Sequence, residues 1–231
     1  MSEINNLPYC PGRQILDCSL IANEVIDYYR IRSLEGVVYK VDFRKAYDTI
    51  DWGFFICILK KLGFGSVWCN WIFMCISTAY FSVLVNGSST SPFAAGRELR
   101  QGFPLSPMLF NLVAEALSAL LKKATQRRFF NGFFIGQEAL KVSHIQFVDD
   151  LIMFCGTTET QIKNVIRILK GFELAIGLKL NRKKSKLIRV NVEDQIVVQW
   201  AELFHCAKRE VVEVSHIFYG LAGFGCGISL Q

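Results

Sequence analysis

Two spacings of apolar residues alternate along the chain, and they separate the predicted helices from the predicted strands. Steps of three and four residues predict helices at 13–32, 52–62, 66–77, 106–121, 158–175 and 195–206. Short runs rich in β-branched and aromatic residues predict strands at 37–41, 81–85, 133–135, 139–142, 145–148, 151–154 and within 178–190. Helices and strands interleaved in this order predict an α+β fold, with a small, mostly antiparallel sheet backed by helices.

Two of the predicted helices begin at residues suited to capping. Asp48 or Asp51 is expected to cap the helix that starts at Trp52, because a carboxylate there accepts from free backbone amides. Both are therefore interpreted as structural. Ser106 is expected to cap the following long helix, with Pro107 at the first helical position, where a missing amide costs nothing.

Two adjacent carboxylates interrupt an apolar run at His144–Cys155, HIQFVDDLIMFC. The flanking residues predict two short strands, which places Asp149 and Asp150 at the tip of a hairpin. A turn needs one aspartate, and two like charges side by side repel each other, so the pair favours a cation site. A plain hairpin turn with a spare surface aspartate is the alternative.

A third carboxylate, Asp42, ends the predicted strand 37–41, and folding would bring it beside Asp149 and Asp150. Ligation by oxygen alone suits two Mg²⁺ or Mn²⁺ ions rather than zinc. Two such ions would hold the reacting groups of an in-line phosphoryl transfer. These residues therefore predict a two-metal site.

Composition restricts the class of protein. The chain has 231 residues, about half of them apolar, which suits one large domain or two small ones. Its eight cysteines are scattered without a CxxC pair, which is typical of a reducing compartment. The first residues, MSEINNLPYCPG, predict no signal peptide. We expect an intracellular protein.

A stretch without charged residues, Gly65–Gly96, raises the question of a membrane span. Polar residues and the turn Asn86-Gly87 interrupt it before it reaches the roughly 20 apolar residues that a span needs. We therefore expect no membrane contact. The net charge is +6, and one basic segment, Leu178–Val190, contains several cations and no acid. This segment is either a solvated surface or a region that neutralises phosphates.

Four segments in order resemble successive motifs of reverse transcriptases: VYKVDFRKAYDTIDW, LRQGFPLSPMLF, HIQFVDDLIMF and FELAIGLKLNRKKSKL. Their sequences are similar to those of LINE-type (non-LTR) retrotransposons of plants, and the resemblance extends from Gly12 to about Val190. It implies a reverse-transcriptase palm with partial fingers. The implied divisions are a partial fingers segment at 1–36, a palm with a fingers-side insertion at 37–191, and a remnant of primer grip and thumb at 192–231.

The resemblance also implies roles for individual residues. The metal ligands would be Asp42, Asp149, Asp150 and the backbone carbonyl of Phe43. Tyr47 would select against a ribose 2′-hydroxyl, although a core aromatic is the alternative. Arg100, Gln101 and Gly102 would pack on the incoming nucleotide and template, and Lys183 or Lys184 would lie near the triphosphate. The implied partners are an RNA template, a DNA primer and deoxynucleoside triphosphates; the oligomeric state has no signal in the sequence.

The chain departs from the family pattern at Gly102-Phe103-Pro104, where the family usually has Gly-Asp-Pro. The upstream fingers motifs and the thumb are also missing from the resemblance. Besides RNA-directed DNA polymerisation, two alternatives therefore stand. One is a catalytically inactive, truncated remnant of a retroelement. The other is a non-enzymatic RNA-binding module that uses the basic segment and exposed aromatics at Phe129, Phe130 and Phe133.

Overall fold

The secondary structure alternates as the apolar spacing predicts. A computed structural model describes residues 15–94, 96–100, 102–137, 140–147, 149–204 and 207–209. The helices are α1 Ile15–Ile31, α2 Trp52–Lys61, α3 Ser66–Ser77, α4 Ser106–Gln126, α5 Glu159–Ile176 and α6 Asp194–Phe204. The strands are β1 Gly36–Val41, β2 Tyr80–Phe81, β3 Leu84–Val85, β4 Ser88–Ser89, β5 Phe93–Ala94, β6 Phe133–Ile135, β7 Leu140–Val142, β8 His144–Phe147, β9 Asp150–Cys155, β10 Lys186–Val190 and β11 Ala207–Arg209.

Five strands form the central sheet, in the order β11-β10-β1-β9-β8. The middle strand, β1, is antiparallel to both β9 and β10, and β8 and β9 form an antiparallel hairpin. The pair β10 and β11 is parallel. The predicted small, mostly antiparallel sheet is therefore confirmed.

Both faces of β1 are buried along most of its length, which explains the apolar residues at 37–39 and at 41. Tyr39 and Val41 belong to the larger core cluster, with side chains of α2, α4, α5 and α6. Val38 belongs to a smaller cluster with α1, which includes Val25 and Ile26. A strand covered on both faces needs apolar residues at successive positions, whereas a half-exposed strand alternates.

Helix ends follow local chemistry, with one correction. Asp51 caps α2, since its Oδ1 accepts from the Phe54 amide at 2.9 Å. The expected cap at Ser106 is wrong, because α4 starts at Ser106 itself and Leu105 holds the capping position. The Ser106 hydroxyl donates instead to the Arg100 carbonyl at 2.6 Å, and this bond ties the start of α4 to the loop before it.

The segment between α3 and α4 forms two small ribbons. The expected single strand at 81–85 is wrong, because β2 pairs with β5 and β3 pairs with β4. Asn86 and Gly87 connect β3 and β4 with φ angles of 50° and 86°, as the predicted tight hairpin turn requires. In the described part of the chain, no helix is both long enough and apolar enough to cross a membrane.

Candidate active site

Three carboxylates approach one another at one end of β1 and β9. Asp42 directly follows β1, and Asp150 is the first residue of β9. Val41 pairs with Leu151, so one further step along both strands leads from these residues to Asp42 and Asp150. Asp149 lies in the turn of the β8–β9 hairpin; its neighbour Val148 lies outside the described residues. We call Asp42, Asp149 and Asp150 the carboxylate triad.

The charges of the triad members influence the pKa of Asp149 and of Asp150. Burial raises the pKa of Asp150 to about 6, Lys40 opposes this rise, and the charges of Asp149 and Asp42 add to it. Desolvation also raises the pKa of Asp149, although this side chain is exposed at the turn. The charge of Asp42 adds to that rise, while the Asp149 backbone amide and Lys40 lower the pKa. The three acids therefore repel one another, and their charge is only partly compensated.

Lys40 supplies that partial compensation. Its Nζ lies 3.8 Å from Oδ1 of Asp150, with 15% and 25% of the two side chains exposed. The donor set of the triad is oxygen only, which fits a hard divalent cation. Among the described residues, no group of three or more His, Cys, Asp or Glu side chains is arranged so that it could hold a metal ion. The residue types therefore fit Mg²⁺ or Mn²⁺, without an assembled ligand shell.

The backbone of Asp42 is held by the turn before β10. Its amide donates to the Ser185 hydroxyl at 3.1 Å, and its carbonyl accepts from the Asn181 amide at 2.7 Å. Ser185 is fully buried, and its hydroxyl donates to the Asn181 carbonyl at 2.9 Å. Sequence reasoning missed both residues, since neither is a candidate ligand. Their only signal was a place inside the basic segment.

Phe43 continues this attachment through an isolated bridge to Leu180. The two bonds that make the bridge use neighbours of Phe43: the Asp42 carbonyl and the Arg44 amide, which donates to the Lys179 carbonyl at 2.7 Å. The bridge therefore does not use the Phe43 carbonyl, which the resemblance implies as a metal ligand. The Phe43 side chain is buried.

Lys183 and Lys184 lie on the same turn and are both exposed. The Lys184 amide donates to the Asn181 carbonyl at 3.0 Å, so the turn that holds Asp42 also presents these ammonium groups. The geometry does not favour one lysine over the other.

Tyr47 is half-buried and stacks on Phe110, with ring centroids 4.8 Å apart. Its carbonyl accepts from the Leu99 amide at 2.7 Å, which joins the segment after β1 to the loop before α4. The ring thus packs on the core, as the alternative interpretation expected. Its incomplete burial leaves the role in ribose selection as a prediction.

The loop before α4 borders a cavity of about 190 Å³, which Phe81, Glu98, Arg100 and Phe103 help to line. Arg100 is exposed, and its guanidinium carbon lies 5.7 Å from the centroid of the Phe81 ring. Gly102 has a φ of 79°, a conformation that glycine adopts without strain. Gln101 lies outside the described residues. The unusual Phe103 forms part of the cavity wall and is half-buried.

The expected set of exposed aromatics is wrong for two of its three members. Phe130 is 0% exposed and Phe133 is 1% exposed, whereas Phe129 is 46% exposed. Phe133 stacks on Tyr29 with centroids 3.8 Å apart, in the smaller core cluster. Phe130 and Phe133 are therefore not accessible for stacking on RNA bases, whereas Phe129 is.

Comparison with known proteins gives a family for this arrangement. The family described as reverse transcriptase (RNA-dependent DNA polymerase) matches residues 7–212. A retrovirus-related Pol polyprotein from the type-1 retrotransposable element R2 of Popillia japonica is 30% identical over 188 residues, covering 79% of this chain and 26% of that protein. The transposon TX1 uncharacterized 149 kDa protein of Xenopus laevis is 29% identical over 143 residues, covering 62% of this chain and 11% of that protein.

A solved structure shares the fold. Telomerase from Candida albicans, in complex with the TWJ fragment of telomeric RNA, matches with a TM-score of 0.57 at 15% identity, covering 79% of this chain and 31% of that one. This likeness confirms the predicted fold class. The chain spans about a quarter or less of the length of the two retroelement proteins. Because the family match covers most of its length, this chain belongs to the reverse transcriptase family and is a reverse transcriptase domain of the non-LTR, R2- and TX1-like kind.

Proposed function

We propose that this chain is the catalytic palm of an RNA-directed DNA polymerase and that the carboxylate triad holds the reacting groups. The observation that carries this proposal is the proximity of Asp42, which directly follows β1, to Asp149 and Asp150, in a hairpin more than 100 positions later. Repelling carboxylates lower protein stability. A site with this arrangement is therefore suited to binding cations.

Two divalent ions are the proposed cofactors, held by the triad and the Phe43 carbonyl. When bound, Mg²⁺ or Mn²⁺ would activate the primer 3′-hydroxyl and stabilise the leaving pyrophosphate. The chain's own contribution is positioning: β1 and β9 place two carboxylates side by side, and the Ser185 hydroxyl holds the Asp42 backbone. Such positioning matters because an error of about 1 Å can lower a rate by about 100-fold.

The nucleotide and the nucleic acid would bind around the triad. We assign the triphosphate to Lys183 or Lys184, the incoming nucleotide and template to Arg100, Gln101 and Gly102, and the ribose to Tyr47. The turn shared by the two lysines and the Asp42 anchor supports the first assignment. An RNA template and a DNA primer would be held mainly through phosphate contacts.

We propose the palm with its fingers-side insertion at 37–191, partial fingers at 1–36, and a primer-grip and thumb remnant at 192–231. Three strands of the central sheet (β8, β9 and β10), all of β1 except Gly36, and helices α2–α5 fall within 37–191, which supports the first division, while β11 lies outside it. The amino-acid sequences of the four motifs support an origin in a LINE-type element of plants. Cys69 and Cys155 are buried thiols among apolar side chains, which supports an intracellular protein.

Primer extension on an RNA template with Mg²⁺ tests the catalytic proposal. Wild-type protein is expected to extend the primer, and Asp149→Asn is expected to abolish extension. Asp27→Asn is the matched control, since it removes a carboxylate from an exposed ion pair on α1. Absence of extension by wild-type protein, or full activity of Asp149→Asn, would overturn the proposal.

RNA binding without polymerisation is a second candidate, favoured by the exposed ammonium groups of Lys183 and Lys184. It predicts RNA affinity that is independent of Mg²⁺ and unchanged by Asp42→Asn. Measuring the RNA dissociation constant with and without Mg²⁺ separates the two functions. A strict Mg²⁺ requirement would exclude this candidate.

A further inference from the structure

Lys40 lies inside the central strand β1, a position at which a charged side chain is unusual. Its backbone pairs with Ile152 on one side and Lys186 on the other, inside the central strand of the sheet. Successive side chains of a strand point to opposite faces, so Lys40 shares a face with Asp42, while Tyr39 and Val41 enter the larger core. Its side chain is 15% exposed. A cation so little exposed is stable only when it is paired.

The pairing is with the carboxylate triad. The Lys40 ammonium lies 3.8 Å from Oδ1 of Asp150, and its charge also reaches Asp149. This distance is longer than a hydrogen bond, so the contact is mainly an attraction between charges. One positive charge faces up to three negative charges. The triad thus has a built-in counter-ion that is too weak to neutralise it.

We propose that Lys40 is the resident counter-ion of the carboxylate triad, a positioning residue that holds the acids together before the divalent ions bind and competes with those ions for Asp150. The inference rests on the proposed function in one respect: divalent ions must bind at the triad. It adds a determinant of how tightly they bind.

Two consequences of opposite sign follow from this role. Without the Lys40 charge, the ion-free protein contains uncompensated repulsion, so its melting temperature falls. The same change removes a positive charge that repels the incoming ions, so their affinity rises. A lysine that served packing alone would lower the melting temperature without tightening ion binding.

The experiment measures Mn²⁺ and Mg²⁺ dissociation constants by titration calorimetry at pH 8, and the melting temperature with and without each ion. Lys40→Met replaces the apolar part of the side chain with one of similar length and removes the charged ammonium group. It is expected to bind Mn²⁺ about fivefold more tightly than wild type, since a unit charge a few ångströms away is removed. Its ion-free melting temperature should fall and should recover when Mn²⁺ is added.

Matched variants make the result specific. Lys40→Arg keeps the charge and is expected to restore the wild-type dissociation constant. Lys163→Met removes a lysine from an exposed ion pair with Glu159 on α5 and is expected to leave ion binding unchanged. The double change Lys40→Met with Asp150→Asn removes both partners and is expected to regain ion-free stability.

The outcomes distinguish this inference from the proposed function. Unchanged or weaker ion binding in Lys40→Met, with normal wild-type binding that Asp150→Asn abolishes, would overturn the inference alone. Absence of ion binding by wild-type protein would overturn both. If Lys40→Met does not fold, the double variant decides: an unfolded double variant would show that the side chain is needed for packing and would also overturn the inference.

Discussion

The β8–β9 hairpin contains two ionisable sites that differ in how their polar groups are paired. His144, at the start of β8, is 7% exposed, and its two ring nitrogens each lie 2.9 Å from a serine hydroxyl, Nε2 from Ser118 and Nδ1 from Ser143. At the other end, Asp150 faces Asp149 and Asp42, with Lys40 at 3.8 Å. We call Ser118, Ser143 and His144 the histidine cluster.

The histidine cluster is complete without any further group. A neutral imidazole has one donor and one acceptor nitrogen, and two hydroxyls satisfy both. The triad retains repulsion between like charges that no neutral partner removes. A structural polar site satisfies its hydrogen bonds and its charge from within the fold, whereas the triad keeps negative charge that Lys40 compensates only in part, which suits it to the cations proposed above. The contrast separates a functional carboxylate from a merely buried polar group.

The largest expected effect comes from neutralising the triad. Asp150→Asn should lower primer extension by about 1000-fold, because ion-mediated stabilisation of the transition state is worth several kcal/mol. The same change should raise the melting temperature of the ion-free protein, since it removes a partly buried charge and its repulsion by Asp149 and Asp42, while Lys40 keeps the charge of Asp149 nearby. Extension rates and thermal unfolding measured on one preparation check both. A lower melting temperature of ion-free Asp150→Asn would mean that the charge of Asp150 stabilises the fold, and it would contradict the distinction between the triad and the histidine cluster.

The pH dependence of stability is the next effect. Burial, with a smaller contribution from Lys122, lowers the pKa of His144 from 6.5 to about 4. The unfolded chain then binds a proton more readily than the folded one, so this stabilisation is full above pH 6.5 and is lost as the pH falls towards 4. The loss in the free energy of unfolding should be about 3 kcal/mol.

Asp150 changes the free energy of unfolding in the opposite direction over an overlapping pH range. Its pKa is raised from 3.8 to about 6, so its stabilisation is present below pH 3.8 and is lost as the pH rises through 6. The free energy of unfolding of the ion-free protein, measured with urea, should therefore fall more steeply between pH 7.5 and pH 4.5 in Asp150→Asn than in wild type. His144→Gln should flatten or reverse the slope. Identical profiles in all three proteins would refute both assignments.

A matched pair of serine substitutions separates the two sites at an intermediate scale. Ser118→Ala and Ser185→Ala each remove a buried hydroxyl, from His144 in one case and from the Asp42 amide in the other. Each should lower the free energy of unfolding by about 1–3 kcal/mol, because a buried polar group loses its partner. Only Ser185→Ala should also weaken Mn²⁺ binding and lower kcat. Calorimetry and extension kinetics on folded protein test this, and equal effects on ion binding would contradict it.

The smallest expected effect concerns the exposed turn. Lys183→Ala or Lys184→Ala should raise the KM for the nucleotide by about fivefold, because exposed charge pairs are worth about 1 kcal/mol or less. Neither change should alter ion-free stability, which distinguishes the turn from Ser185 beside it. Nucleotide titrations at two salt concentrations check this, and the effect should shrink at the higher one. A loss of kcat without a change in KM would contradict the assignment to the triphosphate.

Local patterns predicted the scaffold of the site well. The apolar runs around Asp149 and Asp150 predict the hairpin because strand pairing and the tight turn are local in sequence. The cap at Asp51 and the C-terminal Gly177 of α5, with a φ of 81°, follow equally local rules. The incorrect cap at Ser106 arose because its hydroxyl bonds to Arg100, a partner that the capping rule does not consider.

Burial of individual side chains escaped prediction where only packing decides it. Phe129, Phe130 and Phe133 have the same side chain within five positions, yet Phe129 alone is exposed. An aromatic residue does not signal which side of a short strand or turn faces the core until the neighbouring elements are in place. Tyr47 is similar, because its contact with Phe110 depends on the position of α4.

The sequence by itself determined the order of elements, the apolar central strand and the identity of the three acids. These depend on the periodicity of apolar residues and on residue type, and both can be obtained from the sequence alone. Only the tertiary structure decided what surrounds the acids: Lys40 beside Asp150, and Ser185 bound to the Asp42 amide across 143 positions. Register and chain closure set such contacts. The charge balance of the triad is therefore a property of the folded sheet.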